Sequence, residues 1–308
     1  MAGISSGSYS SEQTLPIDCP EFVDYAKVKG KTVLITGGSS GLGAAYVQSI
    51  SEAGAFVINA DINPPQDEKL QSISHFIRCD VTVWAEQLAA FQTAIKDSPR
   101  GGIDIVIANA GISGSDEFFQ DDEGDVPTEP SLKILDINLA GVVYTAKLAT
   151  FYMGRQDNSF DRCLILKSSI QGYLDTMGSP TYGAAKHGVR SLMKSLRRRS
   201  NLRVSLVAPW FIPTPIMTPI VVARLTAQLA DLGSGFAEPE DCVRAVMRIA
   251  TDASVNGRAL AVLPRIVRVS GYTDLDLDDY REGSLCYELL NVSTKLTHRQ
   301  LPSHLQRT

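Results

Sequence analysis

From Lys31 onward, short apolar runs alternate with stretches whose apolar residues recur every three or four positions. The runs Thr32 to Thr36, Ala55 to Ala60, His75 to Cys79, Ile103 to Ala108, Cys163 to Lys167, Arg203 to Ala208 and Ala259 to Leu263 predict seven strands. The first helical stretch puts Leu42, Ala45, Tyr46, Ser49, Ile50 and Ala53 on one face and stops at Gly54. Further helices are predicted over about Val83 to Lys96, Ser131 to Met153 and Pro180 to Arg199. The second of these carries Leu132, Leu135, Leu139, Val142, Val143 and Ala146 on a shared face. Continuous apolar strands separated by helices belong to a parallel sheet, because each crossover lays a helix on one of its faces. The pattern predicts an α/β fold, a single doubly wound domain with a seven-stranded parallel sheet.

Two segments depart from this alternation. Thr214 to about Leu232 reads as a helical insertion, broken by Gly233 to Gly235 before Glu238-Pro239-Glu240-Asp241 opens the next helix with acidic residues at its positive end. Beyond about Arg265 the composition changes, and Asp274, Asp276, Asp278 and Asp279 crowd together. A calcium loop is excluded there, since Asp279 and Leu285 stand where such a loop needs glycine and glutamate. An exposed acidic loop is expected instead. The boundaries are a lead-in over 1–29, the main domain over 30–264 and an extension over 265–308.

Composition narrows the classes of function. A formal net charge of −5 argues against a nucleic-acid partner. The basic run Arg197-Arg198-Arg199 is read as a solvated helix terminus, where cations suit the helix dipole. The five cysteines lack C-x-x-C spacing and fit reduced core thiols, with no metal site. No membrane span is expected, and with no apolar leader near the N-terminus the reading is a cytoplasmic protein.

The chemistry begins at Thr36-Gly37-Gly38-Ser39-Ser40-Gly41-Leu42-Gly43, between the first strand and its helix. Glycines there permit positive φ and close approach, and the helix N-terminus favours an anion, so Gly37, Ser39, Ser40, Gly41, Leu42 and Gly43 form a candidate pyrophosphate cradle. Asp61 follows the second strand near the ~20-residue offset of a carboxylate that holds an adenosine ribose. Tyr182 and Lys186 are four apart on one helix face, where a lysine cation can pull the phenol toward neutrality for proton exchange with an alcohol or carbonyl. Ser169 ends the fifth strand, at the edge where parallel sheets bind ligands, and Asn109-Ala110-Gly111 ends the fourth at the same edge. Asn138 is a polar amide on an otherwise apolar helix, which calls for a hydrogen-bonding role, structural or catalytic.

In that order, Thr36-Gly37-x-x-x-Gly41-x-Gly43, Asp80, Asn109-Ala110-Gly111, Asn138, Ser169, Tyr182-x-x-x-Lys186 and Pro209…Thr214 resemble the short-chain dehydrogenase/reductase family over about Lys31 to Pro264. The regional texture is similar to fungal secondary-metabolism members related to 15-hydroxyprostaglandin dehydrogenase. The resemblance implies a Rossmann fold and a nicotinamide cofactor, with roles by position. Tyr182 would be the general acid/base. Lys186 would bind the nicotinamide ribose, Ser169 the substrate oxygen, and Asn138 a water that relays protons from Lys186. Asp80, with Val81 beside it, would meet the adenine, Asn109 the middle of the cofactor, and Pro209 and Thr214 the carboxamide end. Trp210 stands where the family usually has glycine, which should reshape the wall beside the nicotinamide.

Asp61 and the lack of a nearby cation favour NAD over NADP, and an oxidised NAD pool favours the direction alcohol to ketone. Ile170, Tyr173, Met177, Trp210, Phe211, Ile212, Ile216 and Met217 fall in the family's pocket-walling segments and suit a small hydrophobic substrate, a secondary alcohol. Two other readings stay open, a ketone reductase on the same site and a non-redox isomerase, cyclase or scaffold that keeps the bound nucleotide. The helices 131–153 and 180–199 carry surplus apolar surface, so a homodimer or homotetramer is expected. The apolar residues Leu285, Tyr287, Leu289 and Leu290 are expected to lie over the pocket of their own or a neighbouring subunit.

Overall fold

Strands that read as near-continuous apolar runs belong between layers of helices, and six of the seven expected runs are buried along their whole central length. The structure, a computed structural model, describes residues 14–114, 116–119, 125–175, 178–198 and 201–297. The strands are β1 (Thr32–Thr36), β2 (Phe56–Asp61), β3 (His75–Arg78), β4 (Ile105–Ala108), β5 (Cys163–Lys167), β6 (Arg203–Pro209), β7 (Ala259–Val262) and β8 (Tyr272–Asp274). Their order in the sheet is β3-β2-β1-β4-β5-β6-β7-β8. The chain reverses direction across the sheet between β1 and β4, which creates the crevice where such sheets bind ligands.

Helices α1 (Gly41–Glu52), α2 (Glu68–Ile73) and α3 (Trp84–Asp97) follow β1, β2 and β3. The predicted helix of 131–153 is one helical run made of α4 (Lys133–Leu135), a π-helical turn (Asp136–Ala140) and α5 (Gly141–Met153). Then come α6 (Pro180–Leu196), α7 (Pro219–Asp231) in the insertion, α8 (Pro239–Thr251) and α9 (Leu285–Thr297). Side chains alternate across β1, and the core divides accordingly. Val33 and Ile35 pack with Tyr46, Ile50, Val246 and Ile249 of α1 and α8, whereas Leu34 packs with Phe91, Leu148, Val189 and Met193 of α3, α5 and α6.

Lys133–Met153 has the length and hydropathy of a membrane span, contrary to the expectation that no stretch would. Its apolar face is a face of the core: Val142, Ala146, Leu148, Ala149 and Met153 are buried against the sheet and α3. The chain's apolarity there serves packing.

The extension corrects three expectations. The sheet has eight strands rather than seven, because β8 adds antiparallel to β7, pairing Ala261 with Thr273. The aspartates are not an exposed acidic loop: Asp278 is 4% exposed, and of the four only Asp276 is open to solvent. Nor is Arg197 a solvated helix end; it is buried and donates to Asp279 Oδ1 at 2.7 Å and to the carbonyls of Gly257 and Asp278. Arg199 lies outside the described residues. Arg258 donates to Asp274 at 2.7 and 2.8 Å, to Asp276 at 2.8 Å and to Asp279 at 3.2 Å, and Arg190 of α6 donates to Asp278 at 2.7 Å. The lead-in joins the same cluster: Arg258 donates to the Thr14 carbonyl, and the Ile17 amide donates to Asp274. In α9, Leu285 and Leu289 are exposed, while Tyr287 and Leu290 are half-buried.

Arg258 is the hub of this cluster, and removing it strands buried carboxylates. Arg258→Ala should cost about 3–5 kcal/mol of stability, read as the shift in chemical denaturation midpoint at constant m-value. A cost below about 1 kcal/mol would mean that the extension is held by something else.

Candidate active site

The glycine turn is built so tightly that side chains cannot enter it. Gly37 has φ 67°, a Cβ on it would lie 2.7 Å from Ala110 Cα, and a Cβ on Gly43 would lie 1.9 Å from the Gly37 carbonyl oxygen. Asn109 holds this geometry. Its Nδ2 donates to the carbonyls of Thr36 and Gly37 at 3.1 and 3.0 Å, while its amide takes the Thr36 hydroxyl oxygen at 3.1 Å. Asn109, expected to touch the middle of the cofactor, spends its side chain on the turn. Ser40 at the start of α1 makes no side-chain cap bond, which leaves first-turn amides of α1 for a ligand anion. Leu42 follows in that turn and packs on the α1–α8 core, and Thr214 lies over the turn, 3.6 Å from where a Gly41 Cβ would be.

Asp61 is a fixed anion beside this cradle. Its Oδ2 accepts from the Ser39 amide and its Oδ1 from the Asn63 amide, each at 3.0 Å. Asn59 donates to Ser39 Oγ at 3.0 Å, a support that the sequence reading missed because a buried strand asparagine has no signature. Asp80 caps its own turn, accepting from the Thr82 amide and hydroxyl, and Val81 is buried against Gly141. A cradle that a Cβ would fill, free helix amides and a fixed carboxylate together fit a dinucleotide.

At the next strand ends the expected trio meets. Ser169 closes β5 and hydrogen-bonds to Tyr182, and its hydroxyl lies 3.4 Å from the carbonyl of Pro209 at the end of β6. Lys186 Nζ stands 5.4 Å from the centre of the Tyr182 ring and donates to the Lys167 carbonyl at 3.3 Å. Burial pushes the Tyr182 phenol above its usual range, and the Ser169 hydrogen bond only partly offsets this. Burial, with the neighbouring Lys167 adding to it, brings Lys186 down to about 7. Desolvation therefore outweighs the expected pull of the lysine cation on the phenol.

Asn138 is fully buried in the π-helical turn, and Ile112 takes both halves of its amide: Ile112 N donates to Oδ1 and Asn138 Nδ2 donates to Ile112 O, each at 2.8 Å. π-turns inside helices recur at functional sites. The two bonds use one of the amide's two N–H groups and one of its oxygen's two lone pairs, so they do not preclude a water on the same side chain.

The expected substrate wall is only partly free. Tyr173 donates to Asp278 at 2.6 Å with Arg190 stacked 4.0 Å from its ring centre, so it braces the extension. Trp210 donates from Nε1 to the Gly235 carbonyl and packs edge-on to Phe211, closing the base of the insertion. Ile170 and Ile212 are buried. Phe211, Ile216 and Met217 remain partly or largely accessible on the insertion, and Met177 lies outside the described residues. Beneath the site, buried Lys167 donates to the Tyr46 hydroxyl and to Cys242 Sγ, tying β5 to α1 and α8. Its position inside an apolar strand gave no signal of these partners.

A doubly wound sheet with a glycine turn at its switch point, and with serine, tyrosine and lysine gathered at the adjoining strand ends, defines a nucleotide-dependent oxidoreductase acting on CH–OH groups. Residues 31–224 match the family described as short chain dehydrogenase, and the chain belongs to that family. It is 39% identical over 286 residues to a 5′-hydroxyaverantin dehydrogenase of Dothistroma septosporum, covering 85% of this chain and 91% of the relative. It is 30% identical over 288 residues to an NADP-dependent dehydrogenase of a Phoma species, covering 86% and 84%. Among solved structures, the ligand-free aldohexose dehydrogenase of Thermoplasma acidophilum superposes with a TM-score of 0.66 at 26% identity, over 78% of this chain and 94% of that one.

Two substitutions separate chemistry from stability here. Tyr182→Phe should abolish turnover and leave cofactor affinity within about twofold, measured by calorimetric titration, since only the ionisable oxygen is lost. Lys186→Met should also be inactive but melt higher than the parent near pH 7. The folded chain holds Lys186 at about 7 and the unfolded chain near its ordinary value, so burial costs stability at low pH and that cost fades as pH rises toward ~10. The gain in Tm should fade over the same range, and a variant that melts lower at pH 7 would contradict the desolvation argument.

Proposed function

We propose that the protein is an NAD-dependent dehydrogenase that oxidises a hydrophobic secondary alcohol to a ketone in fungal secondary metabolism. The meeting of Ser169, Tyr182 and Lys186 beside the glycine turn carries this reading. When bound, the nicotinamide supplies the hydride acceptor. Tyr182 Oη takes the proton of the substrate hydroxyl, and Ser169 Oγ holds the substrate oxygen toward it. Lys186 binds the nicotinamide ribose. Phe211, Ile216 and Met217 offer the apolar wall. The relative named for 5′-hydroxyaverantin, matched along most of both chains, favours a polyketide-like alcohol of that kind.

NADP is the competing cofactor, since relatives carry that name. Asp61 argues against it, because a carboxylate fixed at the end of β2 accepts from ribose hydroxyls and repels a 2′-phosphate. The assembly we propose is a homodimer or homotetramer through the outer faces of α5 and α6, where Val143 and Phe151 are left exposed.

NAD(H) should bind at least about tenfold more tightly than NADP(H), and Asp61→Ala should narrow the gap. Calorimetric titration with both cofactors reads this, and equal affinities in the parent would remove the charge argument. With NAD+ saturating and chemistry rate-limiting, alcohol oxidation should rise with pH across about 6 to 10, because the base form of a phenol held above its usual range appears only at alkaline pH. A flat profile would take Tyr182 out of the base role.

A further inference from the structure

Helix α6 starts without a local cap. Ser179, in the capping position, makes no side-chain bond to the first turn, although serine there ordinarily takes one of the orphan amides. Pro180 brings no N–H, and the Gly183 amide reaches the Ser179 carbonyl. The amides of Thr181 and Tyr182 are left. A residue 65 positions earlier caps this turn: Asp116 Oδ2 accepts from the Thr181 amide at 2.7 Å and the Thr181 hydroxyl at 2.6 Å, and the Tyr182 amide adds to the pull on the same carboxylate. The Phe118 amide donates to Oδ1 at 3.1 Å and orients the group from its own loop. Burial opposes the charge, but the hydrogen bonds from Thr181, Phe118 and Tyr182 outweigh it and hold the carboxyl below its usual range.

The loop that carries Asp116 is fastened along its length to the rest of the site. It begins at Asn109 on the glycine turn, continues through Ile112 on the Asn138 amide, and reaches the insertion where Ser113 Oγ donates to the Ile216 carbonyl at 3.2 Å. Asp116 anchors it further on, at Thr181, one residue before the tyrosine. We propose that Asp116 is a positioning residue for the reaction, fixing the first turn of α6 so that the Tyr182 hydroxyl stays in register with Ser169 and with the glycine turn. It touches neither substrate nor cofactor; it acts through the backbone of Thr181 and Tyr182. The proposal rests on the reading of Tyr182 as the acid/base.

Asp116 is half-buried in a loop and belongs to neither core cluster, so its replacement should leave the fold intact. Asp116→Ala should lower kcat at least about tenfold, in keeping with the steep dependence of rate on alignment, while KM for NAD+ stays within about twofold. Asp116→Asn keeps an oxygen for the two Thr181 donors and should hold kcat within about threefold of the parent. Amide hydrogen exchange over residues 178–186 needs no substrate. It should accelerate at least about tenfold in Asp116→Ala and much less in Asp116→Asn. Unchanged exchange in the alanine variant overturns the proposal whatever the activity. So does faster exchange with parental kcat, or an equal loss in both variants accompanied by weakened NAD+ binding, which would mark a merely structural residue. If the parent itself turns over no secondary alcohol with either cofactor, the functional reading fails, and the exchange measurement still decides whether Asp116 anchors the helix.

Discussion

Helix α6 has to present a phenol and an amino group to a dry cleft, and a helix left to its own caps would not hold them there. Its start is tied to Asp116, and its second half to Asp278 and Asp279 through Arg190 and Arg197. Both sets of carboxylates come from segments far away in sequence, one after β4 and one after β8. An anion at a helix N-terminus is favoured by the dipole, and cations in its later turns are favoured too, so the two anchors act with the helix field rather than against it. The eighth strand and the acid cluster follow from this constraint. A sheet of seven parallel strands would already bind a dinucleotide; the added strand brings the aspartates to the arginines.

The chemistry of the cleft is set by desolvation before it is set by charge. Lys186 is surrounded by protein and meets a backbone carbonyl at 3.3 Å, so its charged form is disfavoured, and the phenol above it is disfavoured as a phenolate for the same reason. Among the described residues, neither group is paired with a carboxylate. A buried pair in this state would need a further positive charge nearby to favour the phenolate, a charge that an oxidised nicotinamide would supply beside Tyr182 and Lys186.

Much of this could be read from the chain and much could not, and the division is physical. β1, the glycine turn, α1 and Asp61 were legible because local rules govern them: a buried strand, a turn only glycine can make and a fixed sequence interval. Tyr182 and Lys186 were legible because a helix puts them on one face. The aspartates of 274–279 were misread as solvated because their partners Arg190, Arg197 and Arg258 lie up to 88 positions away, and periodicity carries no information about such pairings. Asp116 was invisible for the same reason. Asn138 was flagged by its polarity, but the π-turn around it and its use on Ile112 depend on the loop packed against it.

Substrate choice is the least local property of all, and the partners of Tyr173 and Trp210 show why. Both are large, both fall in segments that border the cleft, and both are committed elsewhere, one to Asp278 and one to Gly235. Size and sequence position alone would count them as wall. Their commitment leaves the accessible apolar surface to Phe211, Ile216 and Met217, and of these Ile216 accepts from Ser113 of the Asp116 loop through its carbonyl. The loop that carries Asp116 thus meets both the first turn of α6 and the insertion. Under the roles proposed for Tyr182 and the insertion, a change in the insertion that altered which alcohol is admitted would reach the first turn of α6 through that loop, tying specificity to proton transfer in one piece of backbone.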